Sequence, residues 1–266
     1  MKAAVAITFH FDQNRLVYLQ QVCAGLFDIA NEVNLYIFTN VRDGESLAKI
    51  RSCTQSVPNS EVISPTYLGH PYLLTWSHKS LFRQILSTDR TVTHFLYLED
   101  DLAFTRKNMD YFLAARAELR EYRLIPGFLR FEEKTSSDIV LTDIVSRQRF
   151  NETPKVELGG AFFVSLSRPY QGMYLFDREL AEEYFSWGGA GHFLSAGSWG
   201  IRETAAAGLT FKDPPPNFFS RIAVGFKAVG GVYAPVNGVL IQHLPNNYVA
   251  NPLTKFGKVR SNSVFY

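Results

Sequence analysis

Through the first hundred residues, apolar runs of strand length alternate with longer stretches of helical period. Ala3 to Phe11, Asn34 to Thr39, Glu61 to Ile63 and His94 to Leu98 predict strands, and Asn14 to Ala30 and Tyr72 to Ser87 predict helices. That alternation implies an α/β fold built on a parallel sheet with helices on both faces, and strands covered on both faces read as nearly continuous apolar runs. After Asp101 the pattern predicts a helix from about Lys107 to Arg120 behind Thr105. Strands follow at Phe128 to Glu132, Ile139 to Thr142 and Ala161 to Leu166. Asp177 is placed to cap a short helix through Phe185. The glycine-rich run Trp187-Gly188-Gly189-Ala190-Gly191-His192 then leads to a helix from about Trp199 to Ala207, which Gly208 stops. Val239 to Gln242 reads as a last strand before a polar tail. With no internal repeat and no long linker, the pattern predicts a single domain over residues 1–266.

A chain of 266 residues buries one large core or two small ones sharing an interface. A composition 46% hydrophobic and 20% charged excludes a disordered chain, and a net charge of +2 without a dense basic run gives no reason to expect nucleic acid. Cys23, in a helix-like stretch, and Cys53, in a loop-like one, show no metal spacing and are expected to be reduced thiols. No run reaches the ~20 apolar residues that span a membrane. The N-terminal apolar stretch reads as a buried strand rather than a signal peptide. The expectation is a soluble cytoplasmic protein, with contact to the inner face of the membrane left open. Most aromatic residues belong to the core, but Trp76, Trp187, Trp199 and Tyr174 lie near polar or glycine-rich segments and are candidates to stack on a ring-shaped ligand.

The run His94-Phe95-Leu96-Tyr97-Leu98-Glu99-Asp100-Asp101 ends an apolar strand in three consecutive carboxylates. Adjacent anions repel and are hard to desolvate, so they call for compensation, most simply by Mg²⁺ or Mn²⁺. The carboxyl end of a sheet strand is also where α/β proteins place ligands. Strand alternation puts Glu99 and Asp101 on one side and Asp100 on the other. The alternative is a solvated acidic loop or a helix N-terminal cluster beside Thr105. His243, at the end of the last strand, is a competent third ligand or a structural histidine. On the helix from Tyr72 to Ser87, Leu74, His78, Phe82 and Ile85 form an apolar stripe, while Thr75, Lys79 and Arg83 form another. Lys79 and Arg83 either reach a nucleotide or line a solvated face, and His78 is expected in the core. Lys255 and Lys258 suit a lid over a diphosphate, or are ordinary surface lysines. Glu203 is a candidate base for an incoming hydroxyl, or else pairs with Arg202 or caps its helix.

Together these features resemble glycosyltransferases of the GT-A fold: an N-terminal nucleotide-binding half, an acidic motif ending a central strand, and a C-terminal metal-binding histidine. Here the Asp-x-Asp motif of that group reads Glu99-Asp100-Asp101. More narrowly, Leu74-Thr75-Trp76-Ser77-His78-Lys79, Tyr97-Leu98-Glu99-Asp100-Asp101 and His243-Leu244-Pro245-Asn246-Asn247-Tyr248 are similar to a group of bacterial GT-A-like sequences. The resemblance implies a nucleotide-sugar-binding half at 1–101, an acceptor half at 102–240 and a metal and diphosphate lid at 241–266. Thr8, Phe9 and His10 would lie against the base and ribose of a UDP-sugar, with Asp100, Lys79, Arg83, Lys255 and Lys258 around the nucleotide. Asp101 and His243, with Glu99, would hold Mn²⁺ or Mg²⁺. Tyr174 and Trp187 would receive a glycan or lipid-linked acceptor, with Glu203 as base, in the synthesis of a bacterial surface polysaccharide.

Three other readings compete. A sugar-1-phosphate nucleotidyltransferase should carry a glycine-rich phosphate loop after the first strand, where this chain has His10-Phe11-Asp12-Gln13-Asn14. A haloacid-dehalogenase-like phosphatase needs an Asp-x-Asp pattern there, and Asp12 stands alone. A carbohydrate-binding or scaffold protein on a degenerate transferase fold is the non-enzymatic alternative.

Overall fold

The four strands expected in the first hundred residues are parallel neighbours in one sheet: β1 (Lys2–Phe9), β2 (Glu32–Thr39), β3 (Asn59–Ile63) and β4 (His94–Glu99). The computed structural model describes residues 1–66, 68–135, 138–188 and 199–266. Residues 189–192 of the glycine-rich run lie outside them. The fold is α/β with mixed sheets, and the chain forms two compact units. The first comprises Met1–Arg106 and Gly172–Leu209, the second Lys107–Gln171 and Thr210–Tyr266. The strand Met173–Asp177 pairs antiparallel with β4 and brings residues 172–209 into the first unit.

In the first unit the strand order is Met173–Asp177, β4, β1, β2, β3. Ala3 through Ile7 of β1 are fully buried, as a strand covered on both faces must be. Helix α1 (Leu16–Leu26) buries Leu19, Val22, Cys23 and Leu26 at the spacing of one helical face. It is shorter than the predicted helix because Gln13–Arg15 form a 3₁₀ turn and the α-helix ends at Leu26. Helix α2 (Gly44–Cys53) was not anticipated. It buries only Ile50 and Cys53, so it carries little apolar period, and its start is fixed by Asp43, which accepts from the Ser46 N–H at 2.8 Å. Cys53 is therefore helical, and both cysteines are buried free thiols. The predicted helix from Tyr72 to Ser87 divides into a 3₁₀ segment, Pro71–Trp76, and α3 (His78–Thr88).

In the second unit an antiparallel sheet runs Val232–Pro235, Ile222–Val229, Ala161–Val164, Lys155–Leu158. Its Ile222–Val229 and Val232–Pro235 hairpin, unmarked in the sequence reading, turns on Gly230 (φ 57°) and Gly231 (φ 82°). Further strands run Val259–Arg260, Asp138–Leu141, Leu129–Thr135, Leu240–His243, the last pair being parallel. The tail expected to be a lid is built into this unit. Val259–Arg260 pairs with Asp138–Leu141, and Phe265 is buried against Phe150 and Phe226.

Gly208 adopts φ 54°, and a Cβ there would lie 2.6 Å from Phe176 Cζ and 3.2 Å from Tyr174 Cβ. Backbone strain and overpacking therefore act together. Gly208→Ala is expected to lower unfolding free energy by about 2–3 kcal/mol in a urea titration. At Gly44 a Cβ meets nothing within 4 Å, so Gly44→Ala should stay within about 0.5 kcal/mol.

Candidate active site

β1 has β2 on one side and β4 on the other, so the chain reverses its direction of travel across the sheet between β1 and β4. At such a switch point the connections leave in opposite directions and open a crevice at the carboxyl ends of the strands. Thr8 and Glu99 face each other in register at those ends. Beyond Glu99 the strand stops, and Asp100 and Asp101 stand in a turn. Strand alternation no longer separates them, and one guanidinium grips both. Arg15 Nε donates to Asp100 Oδ2 at 2.9 Å, and Nη2 donates to Asp100 Oδ1 at 2.8 Å and to Asp101 Oδ2 at 2.9 Å. Arg15 is delivered by the 3₁₀ turn after β1, whose start Asp12 caps by accepting from the Asn14 N–H at 2.8 Å.

The side chains of Asp100 and Asp101 are only 10% and 8% exposed, against 33% for Arg15. Burial pushes the Asp100 carboxyl up to about 6, and Arg15 opposes that rise. Arg15 belongs to no basic stripe or tail, and its one signal in the sequence is position: the first Lys or Arg after β1, beside the switch point.

Behind this edge lies a buried polar layer. His78 stacks on Tyr97 with ring centroids 4.0 Å apart, and its Nε2 shares a proton with Tyr174 Oη at 2.7 Å. The hydroxyls of Thr8, Thr39 and Tyr97 are buried without a hydrogen-bond partner among the described residues. Burial pushes the Tyr97 phenol up, and the nearby Thr8 hydroxyl opposes that rise. An unsatisfied buried hydroxyl is rare enough to need an explanation, and a ligand polar group is one. Lys79, read as reaching a nucleotide or lining a solvated face, is 2% exposed and so not solvated, with Nζ 3.5 Å from the Trp76 ring centroid. Desolvation lowers its pKa to about 7.

In the second unit, His243 ends its strand with Nδ1 2.6 Å from Oε1 of Glu132, a fully buried carboxylate. Burial alone would push Glu132 up, but His243 and the N–H groups of Val249 and Tyr248 bring it below the usual carboxylate range. The Tyr248 ring stacks on His243, with centroids 5.2 Å apart. Asn246, at φ 53°, clamps Glu133 by accepting from its N–H and donating to its carbonyl, both at 3.0 Å. His243-Leu244-Pro245-Asn246-Asn247-Tyr248 is thus a loop sewn to Glu132 and Glu133, two residues the sequence reading did not single out.

The remaining candidates fall in varied places. Phe9 is core, His10 and Arg83 are exposed, and Tyr174 is 4% exposed in an aromatic cluster with Phe176 and Tyr184. Trp187 is 41% exposed at the end of the helix Arg178–Ser186, which Asp177 caps as expected. The Glu203 carboxylate folds back over Gly200 at the start of the helix Ile201–Ala205, the position of a capping acid. Lys255 is exposed, and Lys258 is tied to the carbonyls of Tyr248 at 3.2 Å and Asn251 at 2.9 Å. Glu99 and Asp101 belong to the first unit and His243 to the second. Among the described residues, no three His, Cys, Asp or Glu side chains gather into a cation cage. The donors fit a divalent cation unequally. Asp100 has both oxygens on Arg15, Asp101 has one there, and His243 carries the carboxylate support typical of a ligating imidazole.

No protein-family model matches the chain, and no curated protein matches its sequence. Among solved structures, S. aureus TarS 1–349 in complex with UDP-GlcNAc is similar at 12% identity and a TM-score of 0.41, over 69% of this chain and 47% of that one. S. aureus TarS 1–349 aligns at 10% identity and a TM-score of 0.45, over 96% of this chain and 67% of that one. The 4-diphosphocytidyl-2C-methyl-D-erythritol synthase of Anaerococcus prevotii aligns at 14% identity and a TM-score of 0.33, over 69% and 75%. The chain spans about half the length of the first of these.

Arg15→Gln leaves two buried carboxylates without their cation and should lower stability by about 2 kcal/mol near neutral pH. Asp100 already titrates above the ordinary 3.8, so the stability its proton confers at low pH is lost as pH rises through about 6. Without Arg15 that loss is larger, so in urea melts the variant's deficit should shrink at about pH 4. Lys79 has the opposite sign. Its pKa is depressed from 10.5 to about 7, so stability present above 10.5 is lost as pH falls through 7. In thermal melts, Lys79→Met should gain most over wild type at about pH 6 and least at about pH 10.

Proposed function

We propose that the chain is a GT-A-type glycosyltransferase that moves a sugar from a nucleoside diphosphate sugar, a UDP-sugar in the first instance, to a hydroxyl of a glycan or lipid-linked acceptor. The observation that carries this reading is the first unit's switch point, where Thr8 of β1 and Glu99 of β4 meet beside the Asp100-Asp101 turn. Buried hydroxyls of Thr8 and Tyr97 at that end suit hydrogen bonds to a base or ribose. Arg15 offsets part of the negative charge there, which eases the approach of an anionic diphosphate. A divalent cation, for which Asp101 is the candidate ligand in this unit, would supply neutralisation of charge developing on the departing diphosphate. Glu203 is retained as the candidate base, and it must turn away from Gly200 to act. A role in bacterial surface polysaccharide synthesis at the membrane face belongs to the proposal. No helix among the described residues is long and apolar enough to cross a membrane.

The test is a thermal-shift series with UDP, GDP and their sugars, with and without Mn²⁺, together with hydrolysis of the best binder. A ligand at about 100 times its Kd stabilises by about 2.7 kcal/mol, so UDP should raise the melting temperature visibly. Thr8→Val separates binding from stability, because the effects have opposite signs. Removing an unsatisfied buried hydroxyl should raise the melting temperature of the free protein, while the UDP-induced shift shrinks by about a factor of ten in affinity. Asp101→Asn should lower turnover by about a hundredfold or more. If no nucleoside diphosphate shifts the melting temperature, the reading fails.

A further inference from the structure

We infer that Arg202 is the side chain that binds the anionic diphosphate, the cation that the first unit's carboxyl edge leaves uncommitted. The identity of the anion rests on the transferase reading, and the geometry lies within the first unit. Alternation along β4 puts Tyr97 and Glu99 on one face of the sheet, and Thr8 joins them there as the in-register neighbour of Glu99. His78, the first residue of α3, stacks on Tyr97, so the 3₁₀ segment Pro71–Trp76 leads into α3 at that face. Trp76 Nε1 donates to the Ile201 carbonyl at 2.9 Å and ties the short helix Ile201–Ala205 beside it. The next residue is Arg202. It is exposed, and its Cζ lies 4.9 Å from the ring centroid of Tyr72, which is itself 49% exposed. Burial is the largest influence raising the Tyr97 phenol, Glu99 and Asp100 add to it, and Arg202 opposes it, so the guanidinium acts on that buried hydroxyl.

Two arginines thus act at one strand end, in different states. Arg15 gives its donors to Asp100 and Asp101. Arg202 has no carboxylate at ion-pair distance among the described residues, and its neighbour Glu203 folds over Gly200. A guanidinium over an aromatic face is held by the ring quadrupole without giving up a hydrogen bond. Its fork of N–H donors, which matches a phosphate, is therefore kept for an acceptor from outside. The buried hydroxyls of Thr8 and Tyr97, unsatisfied among the described residues, are a separate sign that a ligand completes this end.

The test separates the anion from the nucleoside and needs no turnover. Uridine, UMP and UDP are titrated calorimetrically into the full chain in EDTA, so that only protein groups meet the phosphates. Wild type is expected to bind UDP about 10–100 times more tightly than uridine, with UMP between them. In Arg202→Gln that preference should fall to within about threefold while the affinity for uridine stays unchanged. A wild type without preference for UDP overturns the inference, as does Arg202→Gln with the preference intact. If uridine and UDP both fail to bind, the transferase reading fails, and pyrophosphate alone then decides the role of Arg202. Pyrophosphate should shift the Arg202 Nε–H resonance of the ¹⁵N-labelled wild type, and an unmoved resonance overturns the inference. The same resonance decides the matter if Arg202→Gln does not fold.

Discussion

The fork of Arg15 on Asp100 and Asp101 is the interaction on which the first unit's carboxyl edge depends. It joins the turn after β1 to the turn after β4 across 85 residues of sequence, and it does so at the point where the sheet's connections part. An exposed ion pair contributes little, because water screens it and two long side chains must be immobilised. Here the acids are already out of water and the guanidinium only partly so, which places the charge balance inside the fold. The two parallel hydrogen bonds to Asp100 also fix direction, which a lysine at that position would not do.

The two acids do not share Arg15 equally. Asp100 spends both its oxygens on Arg15, so it serves as the anchor of the turn, whereas Asp101 is held along one edge. The buried Thr8 and Tyr97 hydroxyls belong to the same edge, where an unsatisfied polar atom is tolerated if a ligand completes it.

Much of the first unit was legible because its signals were strong and local. β1 and β4 are continuous apolar runs, Asp177 has its capped N–H three residues on, and the acidic run is conspicuous. Helix α2 was not legible, because a helix that buries two side chains leaves almost no period to read. Helical spacing placed Lys79 with Thr75 and Arg83, and only the structure shows the aromatic rings of Trp76 and Tyr184 closing over one end of that stripe while Arg83 stays in water. Arg15 and Glu132 escaped because each works through a partner more than 80 residues away, and pairing at that range leaves no trace in a single sequence.

The motif His243-Leu244-Pro245-Asn246-Asn247-Tyr248 shows how a sequence can be informative for a reason other than the first one suggested. Its length and composition resembled the start of a mobile cover. In the structure His243, Asn246 and Tyr248 serve attachment. Asn246 tolerates the left-handed backbone and turns its amide onto Glu133, and Tyr248 gives its N–H to Glu132 and its ring to His243. Lys258, farther along, ties the tail back to the carbonyls of Tyr248 and Asn251. A loop so attached cannot open without exposing the buried carboxylate of Glu132, which would lose the imidazole and both N–H groups together. Rigidity is the physical content of the motif: it fixes the position and orientation of one imidazole.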